Sequence, residues 1–290
     1  MNDQDQLYRF VFESLGVRGE LVHLGASWQA IRGQHAYPGA VAEQLAAALA
    51  AVTLLSGTIK FNGSLILQIQ GDGPLRTLVT QATEQRTLRG VARWEDEVPA
   101  AGDLAAVFGN GRLVLTAEAP AGGRYQGIVA LEGAHLAAAL EAYFAQSEQL
   151  ATRLWLAGDG DRAAGLLLQR LPGQGDDPDA WQRVCTLADT VSDEELCGLP
   201  AADLLRRLFH EETVRLFEPE PVSFRCGCSR TRVAAALQAL GRAELRELLE
   251  EDGEVSVDCE FCNRRYTFDA VDLEQLWASI PAAPESDTRH

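Results

Sequence analysis

The sequence has little positive charge and no long stretch of hydrophobic residues. Its 25 Lys and Arg face 42 Asp and Glu, which gives a formal net charge of −17 and a pI near 4.7. Such a chain repels a phosphate backbone, so we expect no nucleic-acid partner. No apolar run approaches the roughly 18 residues of a membrane span, and the N-terminus lacks the basic region of a signal peptide. We therefore expect no membrane partner and a cytoplasmic protein.

Sequence signatures of catalysis are also lacking. Gly71-Asp72-Gly73 does not continue into the GK[ST] of a phosphate loop, and "GDGD" at 158–161 lacks the later ligands of a calcium loop, so both indicate turns. The "HEE" at 210–212 lacks the second His of a zinc-protease motif. Because no nucleophile, base and acid stand out together, we predict that the protein is not an enzyme.

Hydrophobic residues make up 47% of the chain, which is enough for a buried core. Residues 1–175 predict an α+β core domain with mainly antiparallel strands, since runs of adjacent strands are separated from the helices. Spacing of apolar residues favours helices at 5–14 and 40–57, the second one buried. Strands and a further helix follow, the strands at 64–70, 75–81, 86–94, 111–120, 124–133, 152–158 and 163–171, and the helix at 135–149.

A change of composition at "PGQGDDPD", residues 172–179, marks a boundary loop. Residues 176–220 hold twelve acidic and four basic residues together with helical patterns. Their apolar faces are thin, so we predict a metastable helical linker whose order depends on docking; an ordinary helical subdomain is the alternative. Residues 221–280 predict a small domain with Ser229 as an N-cap, Gly253 as a helix stop and a hairpin carrying the second cysteine pair. Residues 281–290 predict a disordered tail.

Six cysteines occur, and four of them form two close pairs, in "RCGCSR" and "DCEFC". Cys226, Cys228, Cys259 and Cys262 supply four soft sulfur donors, the number that a tetrahedral Zn²⁺ site takes. A domain of about sixty residues has a marginal core, so a metal would contribute to its stability. Cys185 and Cys197 stand apart from these pairs, and we expect them to be buried small side chains.

Zinc ligation alone leaves the function open. Inert structural Cys₄ sites are common, so ligand chemistry alone favours a static zinc site, and an enzyme or nucleic-acid-processing factor that carries such a site is the alternative function. A thiol oxidoreductase that uses Cys259 and Cys262 directly is a further alternative. However, all four donors can be oxidised, and the neighbouring Arg225, Arg230, Arg264 and Arg265 favour the reactive thiolate. Oxidation would then remove the ligands and unfold the small domain.

The cysteine pattern is accompanied, in order along the chain, by "VRGELVHLG", "KFNGSLILQIQGDGPL", "RGVARW", "GNGRLVLT", "YQGIVALEG", "YFAQSEQ", "HEE" and "EDGE". Together these segments closely resemble the bacterial heat-shock protein family of thirty-three kilodaltons, which consists of redox-regulated holdase chaperones. The resemblance covers nearly the whole chain. It implies an α+β core, a metastable linker and a C-terminal zinc domain.

The resemblance also implies roles for individual residues. Cys226, Cys228, Cys259 and Cys262 would bind one Zn²⁺ in the reduced, inactive form. Oxidation would form the disulfides Cys226–Cys228 and Cys259–Cys262, release the zinc and unfold the linker. The oxidised protein would then bind unfolding client proteins without ATP, as a homodimer.

Overall fold

The computed structural model describes residues 5–100, 102–119, 123–173 and 177–278. Contacts within the chain divide it into two units, Met1–Arg225 and Cys226–His290. The predicted disordered tail, residues 281–290, lies outside the described residues. Residues 221–225, which we assigned to the zinc domain, belong to the first unit, and the proposed division into core, linker and zinc domain remains a prediction.

Two six-stranded sheets and several helices form the described part of the first unit. The strands are β1 (Gln6–Phe12), β2 (Val17–Leu24), β3 (Ser64–Gln70), β4 (Leu75–Thr83), β5 (Thr87–Trp94), β6 (Arg112–Glu118), β7 (Arg124–Ala130), β8 (Thr152–Gly158), β9 (Ala163–Arg170), β10 (Val214–Leu216), β11 (Glu220–Pro221) and β12 (Ser223–Phe224). The helices are α1 (Ala26–Arg32), α2 (Gly39–Thr58), α3 (Leu104–Phe108), α4 (Leu136–Tyr143), α5 (Ala180–Ala188), α6 (Asp193–Gly198) and α7 (Ala201–Phe209), and a π-helical turn (Phe144–Glu148) follows α4.

The first sheet has the order β10-β1-β2-β9-β8, with β11 also paired to β1. The second has the order β12-β5-β4-β3-β6-β7. Neighbouring strands are antiparallel in both sheets, except that β12 runs parallel to β5. The predicted α+β class with mainly antiparallel pairing is therefore confirmed, and so is the hairpin that places Leu65, Leu67 and Ile69 on one buried face.

Helix α2 forms the centre of the first unit. It contacts strands of both sheets, and its buried residues lie around most of its circumference, which confirms the predicted buried helix. By length and composition this helix is apolar enough to cross a membrane, so our expectation of no such run is wrong. Because 72% of its most apolar window is buried inside the protein, its apolar surface is taken up by the two sheets.

Residues 5–14, which we predicted to be helical, instead contain strand β1. Leu7 packs into the core around α2, whereas Phe10 and Phe12 pack on the opposite side of the sheet. The separation of three between Leu7 and Phe10 suggested a helix, but it arises because this strand buries residues on both faces.

The helices of the predicted linker cover the outer face of the first sheet. Val184 of α5 and Leu204 and Leu208 of α7 are buried in one cluster with sheet residues, and the ring of Phe209 lies 4.9 Å from that of Phe12. The sheet residues in this cluster are Phe10, Phe12, Val17, Leu21, Ala157, Ala164, Leu166 and Leu168. Helices α5–α7 thus contribute apolar side chains to a shared core, as expected for helices that depend on docking.

Residues 220–225, which end directly before Cys226, are bonded to the core of the first unit. Arg86 forms a largely buried ion pair with Glu220 at 2.8 Å and donates to the carbonyl oxygen of Ser56 at 2.6 Å. Strand β12 pairs with β5, and the amide of Arg225 donates to the carbonyl of Leu88 at 2.9 Å. The chain therefore leaves the first unit from a fixed point.

The second unit contains α8 (Arg230–Leu240), α9 (Arg242–Asp252), β13 (Val255–Asp258), β14 (Arg265–Phe268) and α10 (Ala270–Ala278). The hydroxyl of Ser229 accepts the amide of Arg232 at 3.2 Å, and Gly253 ends α9 with a φ of 77°, so both predicted helix signals are confirmed. In the described part of this unit, the core consists of Ala234, Leu237, Leu245, Val255, Tyr266, Phe268 and Leu273.

Replacement of Leu204 by Ala should loosen the linker helices from the first sheet. Leu204 is fully buried, so its truncation should cost about 2–5 kcal/mol of local stability. In the reduced protein, the Leu204→Ala substitution should speed up amide hydrogen exchange more in α5–α7 than in α2. Arg206→Ala, at an exposed position of the same helix, is the control and should leave exchange unchanged. Unchanged protection of α5–α7 in Leu204→Ala would contradict docking as the source of their order.

Candidate metal centre

The four paired cysteines come from two places in the second unit. Cys226 and Cys228 lie just before α8, and Ser229 begins that helix directly after the second of them. Cys259 and Cys262 lie in the connection between β13 and β14. The small core of the unit packs against Cys228 and Cys259, so folding joins two segments that are thirty residues apart in sequence.

The turn between β13 and β14 orients the second pair. The carbonyl oxygen of Cys259 accepts the amides of Cys262 at 3.2 Å and of Asn263 at 2.7 Å. The amide of Cys259 in turn donates to the carbonyl of Arg264 at 3.0 Å. Asn263 takes a φ of 50°, a left-handed conformation that Asn adopts more readily than most residues. These bonds hold both thiols of the CxxC pair on one turn.

All four sulfur atoms lie within 4.8 Å of one another. Sγ of Cys226 is 3.6 Å from Sγ of Cys259, and Sγ of Cys228 is 3.4 Å from Sγ of Cys262. A tetrahedral ion with Zn–S bonds of about 2.3 Å places its sulfur ligands about 3.8 Å apart. The structure thus brings together all four predicted ligands at separations that fit one tetrahedral ion, and four thiol donors favour zinc among the common divalent metals.

Tyr266, on β14, takes part in the centre, and sequence reasoning missed it. Its hydroxyl group donates a hydrogen bond of 3.2 Å to Sγ of Cys228, while its ring is buried in the small core. Burial of the Cys228 thiol opposes its ionisation, but the bonds from Tyr266 and the other thiols outweigh burial and lower the pKa of Cys228 to about 7. The sequence did contain a signal for this role. A Tyr occupies an apolar position of the strand beside the cysteines, and a buried Tyr hydroxyl group needs a hydrogen-bond partner.

The CxxC pair has the opposite electrostatic environment. Burial raises the pKa of the Cys259 thiol, and burial raises that of Cys262 to about 12. Thiols that share such a cluster ionise as a group, and a bound cation would favour the thiolate in all of them.

The four neighbouring arginines do not act as a group. Arg230 pairs with Asp272 at 2.6 Å and stacks over the ring of Phe268, and Arg265 pairs with Asp258 at 2.7 Å. Arg264 is the one whose charge interacts with Cys228 and Cys262. The carboxylate partners offset much of the positive charge that the sequence places beside the sulfurs.

The two remaining cysteines are buried, as expected. Cys185 lies on α5 and Cys197 on α6, and burial raises the pKa of each thiol to about 12. Both are therefore protonated and inert while these helices are docked. The "GDGD" segment forms the predicted turn, since the Asp159 carboxylate accepts the amides of Asp161 and Arg162 at 2.7 and 2.6 Å between β8 and β9.

Comparison with known proteins gives consistent results. The model of the Hsp33 protein family matches residues 5–269. The 33 kDa chaperonin of Nitrosococcus oceani is 57% identical over 290 residues, with both chains covered completely, and that of Ectopseudomonas mendocina is 48% identical over 297 residues, also with complete coverage.

A crystal structure of the 33 kDa chaperonin from Thermotoga maritima superposes with a TM-score of 0.82. The match covers 96% of this chain and 98% of the other, at 24% identity, and it shows a shared fold. The family model and the curated relatives also show the family, because both match nearly the whole sequence. The chain belongs to the Hsp33 family of chaperones.

Proposed function

We propose that this protein is an ATP-independent holdase chaperone controlled by oxidation of its metal centre. In the reduced form, Cys226, Cys228, Cys259 and Cys262 hold one Zn²⁺ and the protein is inactive. In the oxidised form, the linker is unfolded and binds proteins that are losing their structure. The observation that carries this proposal is the convergence of four oxidisable sulfur atoms within 4.8 Å, in a unit with a small core of its own.

The donor set fits a structural zinc ion, which would supply a crosslink between the segment before α8 and the β13–β14 turn. Each cysteine contributes one thiolate, so no position is left for water or substrate. The described part of the second unit has a core of seven buried residues, so loss of the crosslink should cost this unit most of its stability.

Oxidation would remove the ligands in pairs. Two thiolates, one H₂O₂ and two protons from the solvent give one disulfide and two molecules of water, so the sulfurs lose two electrons and the peroxide gains them. The tetrahedral arrangement brings sulfurs from both segments together and does not itself select partners. Once the crosslink is lost, however, only cysteines close in sequence stay near each other, since closing a short loop costs least entropy. This supports the pairs Cys226–Cys228 and Cys259–Cys262.

Unfolding of the linker supplies the binding surface in this proposal. Helices α5–α7 cover Phe10, Phe12, Leu21, Leu166 and Leu168 on the outer face of the first sheet. Their release would expose both this face and their own apolar residues. The twelve acidic residues of 176–220 would keep the opened protein in solution. Unfolding client proteins are the partners, the oxidised form is a homodimer, and the place of action is the cytoplasm.

Two other functions are less well supported. A static Cys₄ site in an enzyme or nucleic-acid-processing factor does not agree with membership in a chaperone family, and the charge of −17 opposes binding to nucleic acid or to anionic membranes. A thiol oxidoreductase would use Cys259 and Cys262 in catalytic turnover. An assay that counts the dithiols oxidised per molecule of protein detects such turnover.

The central test combines zinc release with chaperone activity. Reduced protein is treated with peroxide at mildly elevated temperature, zinc is followed with a chromogenic chelator, and light scattering reports aggregation of a thermally unfolding client. We expect about one zinc released per chain, together with suppressed aggregation. Retained zinc, or release without suppression, would refute the proposal. Repeated oxidation of a dithiol substrate would point to an oxidoreductase instead.

Cys259→Ser should uncouple the linker from oxidation. It removes one of four donors, so zinc affinity should fall at least tenfold and α5–α7 should exchange amide hydrogens faster in reduced protein. Cys197→Ala is the matched control, because that buried thiol belongs to the first unit and is not one of the four donors. A Cys259→Ser protein that stayed fully zinc-loaded, with a protected linker, would contradict the proposed coupling.

Tyr266→Phe should weaken the metal centre while keeping the core packed. The ring remains but the hydrogen bond to Sγ of Cys228 is lost, and partners of metal ligands typically contribute 10–100-fold in affinity. Competition with a chelator should therefore show zinc binding weakened about tenfold or more. Tyr125→Phe, at an exposed position of the first unit, serves as the control. Equal affinities would show that the hydroxyl group does not support the ligand.

A further inference from the structure

The first sheet ends at β8, and no strand pairs with the outer side of β8 within the described part of the chain. The amide of Asp159 donates to the carbonyl of Arg162, and that of Arg170 to the carbonyl of Ala151, which sets the register of the β8–β9 hairpin. In this register, odd-numbered residues of β8 bond to β9. The backbone groups of Leu154, Leu156 and Gly158 therefore point away from the sheet.

A cleft of about 540 Å³ runs along this edge. Five consecutive residues of the strand line it, from Leu154 to Gly158, so the lining is strand-shaped. One wall comes from α2 and the start of α4, with Glu43, Gln44, Ala47, His135, Leu136 and Ala137. The other wall comes from the linker, with Val191, Asp193 and Leu196. Both walls contribute apolar side chains and one carboxylate each.

At one end of this edge, a side chain of the protein already bonds to a backbone amide of β8. The amide of Leu154 donates to Oε1 of Glu141 at 2.8 Å, so a carboxylate oxygen takes the place that the carbonyl of a neighbouring strand would have. The edge amides can therefore be bonded from outside the sheet without any rearrangement of β8. Leu156 and Gly158 continue the same row beyond Glu141.

We propose that the cleft along β8 binds an extended, basic and apolar segment of an unfolding polypeptide, which adds to the first sheet as a further strand. The inference rests on the proposed holdase function and locates one binding site for it. Main-chain hydrogen bonds supply affinity that does not depend on sequence, as a chaperone of many clients requires. Alternate side chains of the added strand face the apolar wall formed by α2 and α4, and Glu43 on that wall favours flanking Lys or Arg.

The linker controls the width of this site. Two hydrogen bonds to carbonyl oxygens near its end hold helix α6 beside the edge, one from Arg162 of the β8–β9 turn to Cys197 at 3.0 Å and one between His23 of β2 and Leu196 at 2.9 Å. While α6 is docked, Val191 and Leu196 narrow the cleft. Release of the linker removes that wall and leaves β8 open along its length, so strand addition becomes favourable in the active form.

Charge argues against a second copy of this chain as the occupant. Two β8 edges paired with each other would bring the acidic Glu43 walls of both copies to one seam, in chains that each carry a charge of −17. Like charges facing each other across a sheet edge destabilise pairing. A basic segment of another protein meets no such repulsion.

Two synthetic peptides test the inference with oxidised, full-length protein. Both have the same alternating Val and Leu residues flanked by Lys, but one carries N-methyl groups on all of its backbone amides, so that neither of its edges can donate hydrogen bonds to a strand. Fluorescence anisotropy should show at least tenfold weaker binding of the methylated peptide. Glu43→Lys should weaken binding of the unmodified peptide several-fold, whereas Glu97→Lys, with the same charge change on an exposed residue after β5, should not.

Client aggregation is measured on the same samples, so that the two proposals can be separated. Equal binding of both peptides by protein that suppresses aggregation would overturn strand addition and leave the holdase function standing. Absence of suppression would overturn the holdase function itself. A photo-crosslinker placed at Gln44 should capture the unmodified peptide; capture of a second copy of the chain instead would overturn the assignment of the occupant.

Discussion

The second unit brings four thiol sulfurs together although the two cysteine pairs are separated by thirty residues of chain. The N-cap at Ser229 starts α8 directly after Cys228, and the β13–β14 turn presents Cys259 and Cys262 together. Among the described residues, the core of this unit has seven buried side chains. A core of this size contributes little stability, so the proposed metal centre would also be a condition of the unit's folding.

The helices of the first unit differ in how much of their surface is buried. Helix α2 is enclosed by both sheets, whereas α5–α7 bury one face each against the outer side of a single sheet. Short helices of this kind owe their order to packing rather than to their own propensity. In the proposed function, the element that detaches is the one that lies between the core and the cysteines along the chain.

Sequence and structure agree best where the signal is local. The spacing of the cysteine pairs, the caps at Ser229 and Gly253 and the hairpin β3–β4 are set by neighbouring residues. Strand β1 was misread because burial on both faces erased its alternation. Helix α6 was missed although Ser192 and Glu195 form a capping box, since six residues are too few for a clear helical period.

The amino-acid sequence by itself determined the family, the α+β class and the four donor atoms, because each depends on residue identity and on spacing along the chain. Tertiary structure alone decided which groups surround those donors. It paired Arg230 and Arg265 with carboxylates, brought the hydroxyl group of Tyr266 to Cys228, and left one edge of the first sheet beside α6. Such relations join residues that are distant in sequence, and packing of the folded chain establishes them.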